Sequence, residues 1–263
     1  MDTRRYRLPA TIALLLGFSV LYFIILLTAV NAVGTDSDLY YSEQMKAGIL
    51  PGAGISEVDL HALDATLSTY LSGWNPRIDR IDDPQAWLPE AQRNAFNERE
   101  LTHLRDCLGL FDLLRKVRGR LIPWAILLIV GGVYILRDRK RIRLCAWLSP
   151  LILVLPLGAF AIYAISDFDR AFTLFHSLLF TNDLWLLDPA TDLLIRICPE
   201  SMFMNMGVRI GVYSLAGMLA VSAIATLLTF IWPKGKEDDT WNNRAMRRGS
   251  AQKQITFGRT GMR

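Results

Sequence analysis

Cysteine and histidine are both scarce in this sequence, three of each in 263 residues. Three cysteines cannot build the stapled framework of a small secreted domain; the one pairing the layout permits is Cys107 with Cys198. The chain contains no HExxH motif and no paired CxxC, so the usual signatures of a zinc hydrolase or zinc-stabilised fold are missing. Charge is absent from long stretches. Residues 8–33, 144–166 and 210–232 carry none, and each block matches the roughly 20 apolar residues that cross a bilayer. A fourth block, 121–136, has only 16 uncharged residues, but Arg120 and Arg137 at its ends can snorkel to the headgroups and lengthen it. With 52% hydrophobic residues concentrated in these blocks, the sequence reads as a membrane protein with four spans.

A net charge of +4 and a pI near 9.0 could indicate an acidic partner, but the basic residues sit where they set orientation. Arg4, Arg5 and Arg7 precede the first span; Arg137, Arg139, Lys140, Arg141 and Arg143 separate the second and third; Lys234, Lys236, Arg244, Arg247 and Arg248 follow the fourth. The positive-inside rule makes all three segments cytoplasmic, and no nucleic-acid partner is implied. The expected order is a cytoplasmic N-terminus and first span (1–33), an extracytoplasmic segment (34–119), the second span (120–137), a basic cytoplasmic loop (138–143), the third span (144–166), extracytoplasmic interfacial helices (167–207), the fourth span (208–232) and a basic, disordered tail (233–263) able to contact anionic lipid. The first apolar run exceeds the 7–15 residues typical of a signal peptide, so it is read as a retained span although Val30-Asn31-Ala32 offers small residues for cleavage. The expected fold class is an all-α polytopic membrane protein with four transmembrane helices and a mainly helical cap formed by the 1–2 and 3–4 loops.

Both cap segments carry helix signals. Over residues 56–71, Val58, Leu60, Leu63, Leu67, Tyr70 and Leu71 recur at helical spacing, with Ser56 as N-cap and Gly73 as stop, and Asp59 and Asp64 on other faces. Trp74 and Trp87 in the following turn-rich stretch suit a headgroup boundary. Asn97 and Glu100 predict a capping box opening a second helix, on which Glu100, His103, Asp106 and Cys107 share a face. In the second cap segment Phe172, His176 and Phe180 are spaced by four. Asn182 and Asp183 end that helix; Asp188-Pro189 predicts the start of another, and Cys198-Pro199 its end. Two apolar helices of about ten residues are too short to span and read as interfacial elements. A histidine embedded there in aromatics, near Asp183, Asp188 and Asp192, is a functional candidate by its setting. Small residues Ser214, Ala216, Gly217, Ala220 and Ala223 on the fourth span read as a packing face.

The combination of ERELTHLRD with FHSLLF and NDLWLLDPATDLLIRICPESMF resembles the Lit-like family of bacterial four-span integral membrane proteins, which includes the lipoprotein intramolecular transacylase. The resemblance implies an enzyme that moves the sn-2 acyl chain of a diacylglyceryl-modified lipoprotein onto the α-amine of its N-terminal cysteine, with no cofactor and with membrane lipid as surroundings. It carries His103 and His176 over as catalytic residues. Cys107 departs from it, standing where a small aliphatic residue is expected, and so does the basic tail.

An α-amine with a pKa of about 7.7–8.0 needs a base before it attacks an ester, and a histidine titrates in that range. On this reading His176 is base and acid, and His103 orients the amine or stabilises the oxyanion, with Glu100 or Asp106 setting its tautomer. Asn182, Trp185, Asp188, Asp192, Arg170 and Arg209 are supporting candidates. Two other readings remain open at this level: a four-span envelope scaffold without catalysis, and a membrane hydrolase holding a metal through His103, Cys107 and His176.

Overall fold

The computed structural model describes residues 6–73 and 95–231; Arg4, Arg5, Trp74, Trp87, Trp232 and the basic tail lie outside the described residues. Ten helices appear among the described residues: α1 (Arg7–Gly34), α2 (Ser37–Ala47), α3 (Leu50–Ala53), α4 (Glu57–Ser72), α5 (Glu98–Leu136), α6 (Arg139–Leu148), α7 (Leu151–Ser166), α8 (Phe168–Leu179), α9 (Leu193–Ile197) and α10 (Glu200–Ile231). Four units are long and apolar enough to cross a membrane: α1, α5, α6 together with α7, and α10. The chain is therefore an all-α, multi-pass membrane protein, and the shorter helices gather at one end as a cap.

The helix signals act as the sequence predicts. Ser56 caps α4 by accepting from the Asp59 N–H, and Gly73 ends it in the left-handed conformation. Asn97 and Glu100 form both halves of a capping box on α5. That helix does not stop at the cap. Its 39 residues give a length of about 58 Å, nearly twice the roughly 30 Å hydrocarbon core, so the predicted boundary between residues 119 and 120 falls inside one continuous rod. Its apolar portion crosses the membrane, and its first five turns stand clear of it.

Other boundaries differ too. The basic segment 138–143 is not a loop: α5 ends at Arg137 with φ 47, Asp138 caps the next helix by accepting from Arg141 N–H at 3.2 Å, and α6 begins at once. The third span breaks at Ser149-Pro150 instead of running through. Near the histidines, Asp188-Pro189 opens a turn, and the helix starts only at Leu193, giving one interfacial helix of 12 residues and one of five. The fourth span starts eight residues early, at Glu200. All three cysteines are free, so the Cys107–Cys198 disulfide is not formed.

Close approach organises the bundle. A Cβ at Gly132 would meet Leu14 at 2.6 Å, one at Gly17 would meet Ile129 at 2.9 Å, and one at Gly34 would collide with the Phe111 ring. Positions advance along α1 as they retreat along α5, so the two pack antiparallel along their length, with small residues letting the backbones approach. α10 lies on another side of α1, where Gly217 admits Ile25. The buried stripe of α10 runs through Ser214, Met218, Ser222 and Thr229; Ala216, Ala220 and Ala223 are exposed, so the predicted packing face holds only for Ser214 and Gly217.

Proline creates one problem inside this bundle and its neighbours solve it. Pro150 has no N–H, so the Ala146 carbonyl loses its helical partner. The Tyr22 hydroxyl donates to that oxygen at 2.7 Å, and Ser222 Oγ approaches it at 3.1 Å. An unpaired carbonyl in hydrocarbon costs several kcal/mol, so α1 and α10 supply what α6 cannot.

The cap has its own core of Leu60, Leu63, Leu67, Tyr70, Leu101, Leu104, Leu193, Leu194 and Ile197. The segment between α8 and α10 is fastened to the start of α5. Glu100 accepts from the Leu194 N–H at 2.6 Å and from Asn97 N–H at 2.8 Å, while Asn97 Nδ2 donates to Asp192 at 2.7 Å. Asp192 also accepts from Asp188 N–H at 2.7 Å, which is why the chain turns there before α9 can begin.

Two outcomes are expected. Tyr22→Phe removes the donor at Ala146 and lowers stability by about 1–3 kcal/mol, read by thermal unfolding in detergent. Glu100→Ala strands the buried Leu194 N–H, opens the α5 capping box, and raises hydrogen exchange at Leu194 and its neighbours more than in α1 or α10.

Candidate functional site

His103 stands in the second turn of α5 and His176 in the last turn of α8. α8 begins where Asp167 accepts from Arg170 N–H at 3.1 Å, and it ends at Phe180, which turns extended. This brings the two imidazoles, 73 positions apart in sequence, to 6.1 Å between ring centroids with a 39° tilt. Both residues are only 7% exposed.

Aromatic rings enclose them. Trp185 stacks on His176 at 4.9 Å, Phe172 lies 3.9 Å away on the same helix, and Phe180 reaches both imidazoles, His103 at 5.1 Å and His176 at 5.7 Å. Trp185 is held by its own indole N–H, which donates to Asn182 O at 2.9 Å. Asn182 in turn donates to Asp106 at 2.8 Å and ties the segment to α5 a second time.

The two histidines differ in their hydrogen bonds. His176 Nδ1 donates to the Phe172 carbonyl at 2.8 Å, which leaves Nε2 with its lone pair. His103 Nε2 lies 3.6 Å from Cys107 Sγ, and its Nδ1 is buried with no hydrogen-bond partner. Burial disfavours the charged form of both. It pushes His103 down to about 4, with His176 adding to the effect and Asp106 opposing it. His176 also falls below the ordinary histidine value through burial, partly offset by the Phe172 carbonyl. Both rings are neutral at neutral pH.

Of the predicted supporting residues, Trp185, Asn182 and Asp106 join the pair. Glu100 and Asp192 do not touch the rings; they hold the segment that carries them. No carboxylate sets the His103 tautomer as expected, because Glu100 is spent on Leu194 and Asn97, and Asp106 accepts from Asn182. Asp188 caps a turn by accepting from Ala190 N–H at 2.9 Å. Arg170 is 79% exposed at its side chain and pairs with Asp167 at 3.2 Å, and Arg209 reaches Glu43 at 3.9 Å, so neither serves the histidines. Among the described residues no three His, Cys, Asp or Glu side chains converge as metal ligands.

One buried group escaped the sequence reading. Asp64 is 1% exposed, and burial pushes its carboxyl up to about 7 against the lowering effect of Gln44. Gln44 Nε2 donates to Asp64 at 3.0 Å and to Ile197 O at 2.9 Å, linking α2, α4 and α9. The spacing held the signal, since position 64 falls four after Leu60 and three before Leu67, inside the apolar stripe.

The fold is similar to that of the membrane-integral lipoprotein intramolecular transacylase Lit from Bacillus cereus, at 24% identity and a TM-score of 0.62, covering 85% of this chain and 96% of that one. A histidine-to-alanine variant of that protein aligns at 24% identity with a TM-score of 0.60, over 85% of this chain and 94% of the other. No curated protein sequence matches. The family described as lipoprotein intramolecular transacylase Lit matches residues 15–203, a span that holds both histidines, the clamp on α5 and the first three membrane crossings, and the chain therefore belongs to that family.

Proposed function

We propose that the chain moves an acyl chain from the glyceryl ester of a diacylglyceryl-modified lipoprotein to the α-amine of its N-terminal cysteine, with His176 and His103 as the catalytic residues. Family membership supports acyl transfer in general. The observation that carries the finer reading is the pair of buried, neutral imidazoles facing each other in an aromatic enclosure.

His176 Nε2 is the base. It takes a proton from the amine as the nitrogen attacks the sn-2 ester carbonyl; the C–N bond forms and a tetrahedral oxyanion develops. His103 stabilises that oxyanion. The intermediate then collapses with cleavage of the C–O bond, and the departing glyceryl oxygen receives the proton from His176. Donor and acceptor belong to one molecule, so the reaction is an isomerisation that needs no second encounter, an advantage of about 7–11 kcal/mol for well-oriented groups.

The surroundings suit a lipid substrate. On α8 Leu174, Phe175, Leu178 and Leu179 are exposed, as is Leu186 beyond its end. We assign these side chains to the acyl region of the bilayer, with the substrate chains reaching the histidines along them. The basic run 137–143, at the end of the bundle away from the cap, and the basic residues that flank the first and fourth spans in the sequence orient the cap outward, with both chain termini cytoplasmic.

The test uses a synthetic diacylglyceryl lipopeptide and purified protein in detergent, with tandem mass spectrometry to locate the acyl group, since the product has the same mass as the substrate. Wild type converts the ester to an alkali-resistant N-acyl form; His176→Asn lowers the rate by about 10²–10⁴. An unchanged lipopeptide with wild-type protein overturns the proposal. The rate is expected to rise with pH through the amine's range, about 7.7–8.0, with no inflection at the ordinary histidine value, because the base is already neutral there. Stability runs the same way. His103 binds its proton near 6.5 when unfolded but only near 4 when folded, so the unfolded state gains protons first and melting temperature falls as pH drops from about 6.5 towards 4. His103→Asn flattens that fall.

A further inference from the structure

We propose that Cys107 is a positioning residue for His103: its thiol donates to Nε2 of the imidazole and fixes the tautomer in which Nδ1 carries the proton as a free donor. This rests on the reading of the histidine pair as the reaction centre. The observations are geometric. Cys107 follows His103 by one turn on α5, and its sulfur lies 3.6 Å from Nε2. The other ring nitrogen is buried without a partner. Every other polar group close to the ring is committed: Asp106 accepts from Asn182, Glu100 from Leu194 and Asn97, and His176 donates to Phe172. The thiol is the polar group in contact with a nitrogen of the His103 ring.

The choice has chemical content. A neutral imidazole carries one proton, and the bond made by one nitrogen decides the state of the other. With the thiol donating to Nε2, His103 offers an N–H and His176 offers a lone pair. Acyl transfer needs both, one to receive the amine proton and one to meet the oxyanion. In the opposite tautomer both rings would present lone pairs, and the oxyanion would have no ring donor.

A thiol suits this task for a reason that a carboxylate does not share. A carboxylate beside the ring would accept from it and draw it towards the charged form. Burial pushes the Cys107 thiol up to about 12, with Asp106 adding, so it stays protonated and remains a donor throughout the working range. The departure from the small aliphatic residue expected at this position thus adds a donor where the ring has one vacant acceptor.

The experiment is ¹⁵N NMR of the full-length protein labelled at histidine, in detergent micelles, with His103 assigned by its loss in His103→Asn. Wild type is expected to show a protonated Nδ1 and an unprotonated Nε2 at His103. Cys107→Val, which keeps the volume and removes the donor, is expected to shift that ring towards the Nε2-protonated form and to lower kcat by about 10- to 100-fold with KM unchanged. A wild-type His103 protonated at Nε2 overturns the proposal without any variant having to fold. So does a Cys107→Val protein with unchanged tautomer and kcat. If wild type transfers no acyl group, the transacylase reading fails on its own, and the nitrogen shifts still decide the thiol's role.

Discussion

One carboxylate joins the two halves of the cap. Glu100 completes the capping box of α5 with one oxygen and receives the Leu194 N–H with the other. Burial raises its carboxyl above the ordinary value while those N–H donors hold it down, the signature of a charge kept in place by backbone hydrogen bonds. This contact holds residues 180–199 together with Asn97 to Asp192, Asn182 to Asp106 and Gln44 to Ile197 O. Because the same segment supplies Phe180 and Trp185, the enclosure around the imidazoles depends on a bond that touches neither ring. Leu193, Leu194 and Ile197 then bury against α4 and α5, adding about 1.5–3 kcal/mol each.

The membrane part obeys a different constraint, since lipid offers no hydrogen bonds. Tyr22 answers a backbone need at Ala146, and Ser149 Oγ satisfies its own hydroxyl by donating to Cys145 O at 2.7 Å. Glycines at positions 17, 34 and 132 let α1 and α5 touch along their length. The result is a stiff pair, and His103 stands on one of its two rods. His176 reaches the pair from a separate helix. The two imidazoles are thus brought together by a helix packed along α1 and by one carried on a separate segment.

Much of this was legible in the sequence, and the failures share a cause. Four uncharged blocks gave the crossings, because the bilayer reads composition directly. Asn97, Glu100, Ser56 and Gly73 gave helix ends, because caps are local. The histidines were legible as candidates through the aromatic spacing of Phe172 and Phe180. Partnership was not legible. Glu100 and Asp106 stand one turn from His103 and looked like its orienting acids, but Leu194 and Asn182, 94 and 76 positions away, claim them. Asp188-Pro189 carried a sound helix-start signal that the Asp192 side chain overrode by capturing Asp188 N–H. Asp64 falls off the apolar stripe in the sequence pattern because that stripe is counted by apolar residues alone. For Glu100 and Asp106 a distant residue decided what a local pattern left open; for Asp188 the deciding side chain stands only four positions on.

The break at Ser149-Pro150 separates two parts with unequal attachments. α6 packs on α1 and α10, whereas α7 buries none of its residues and meets α8 at its far end. Leu153 and Val154 at its start pack on the bundle core, while most of its other residues are exposed. A bilayer that thins or thickens acts by tilting whatever segment is held least. Here that segment leads directly into α8, so the helix carrying His176 continues from the least buried part of the bundle.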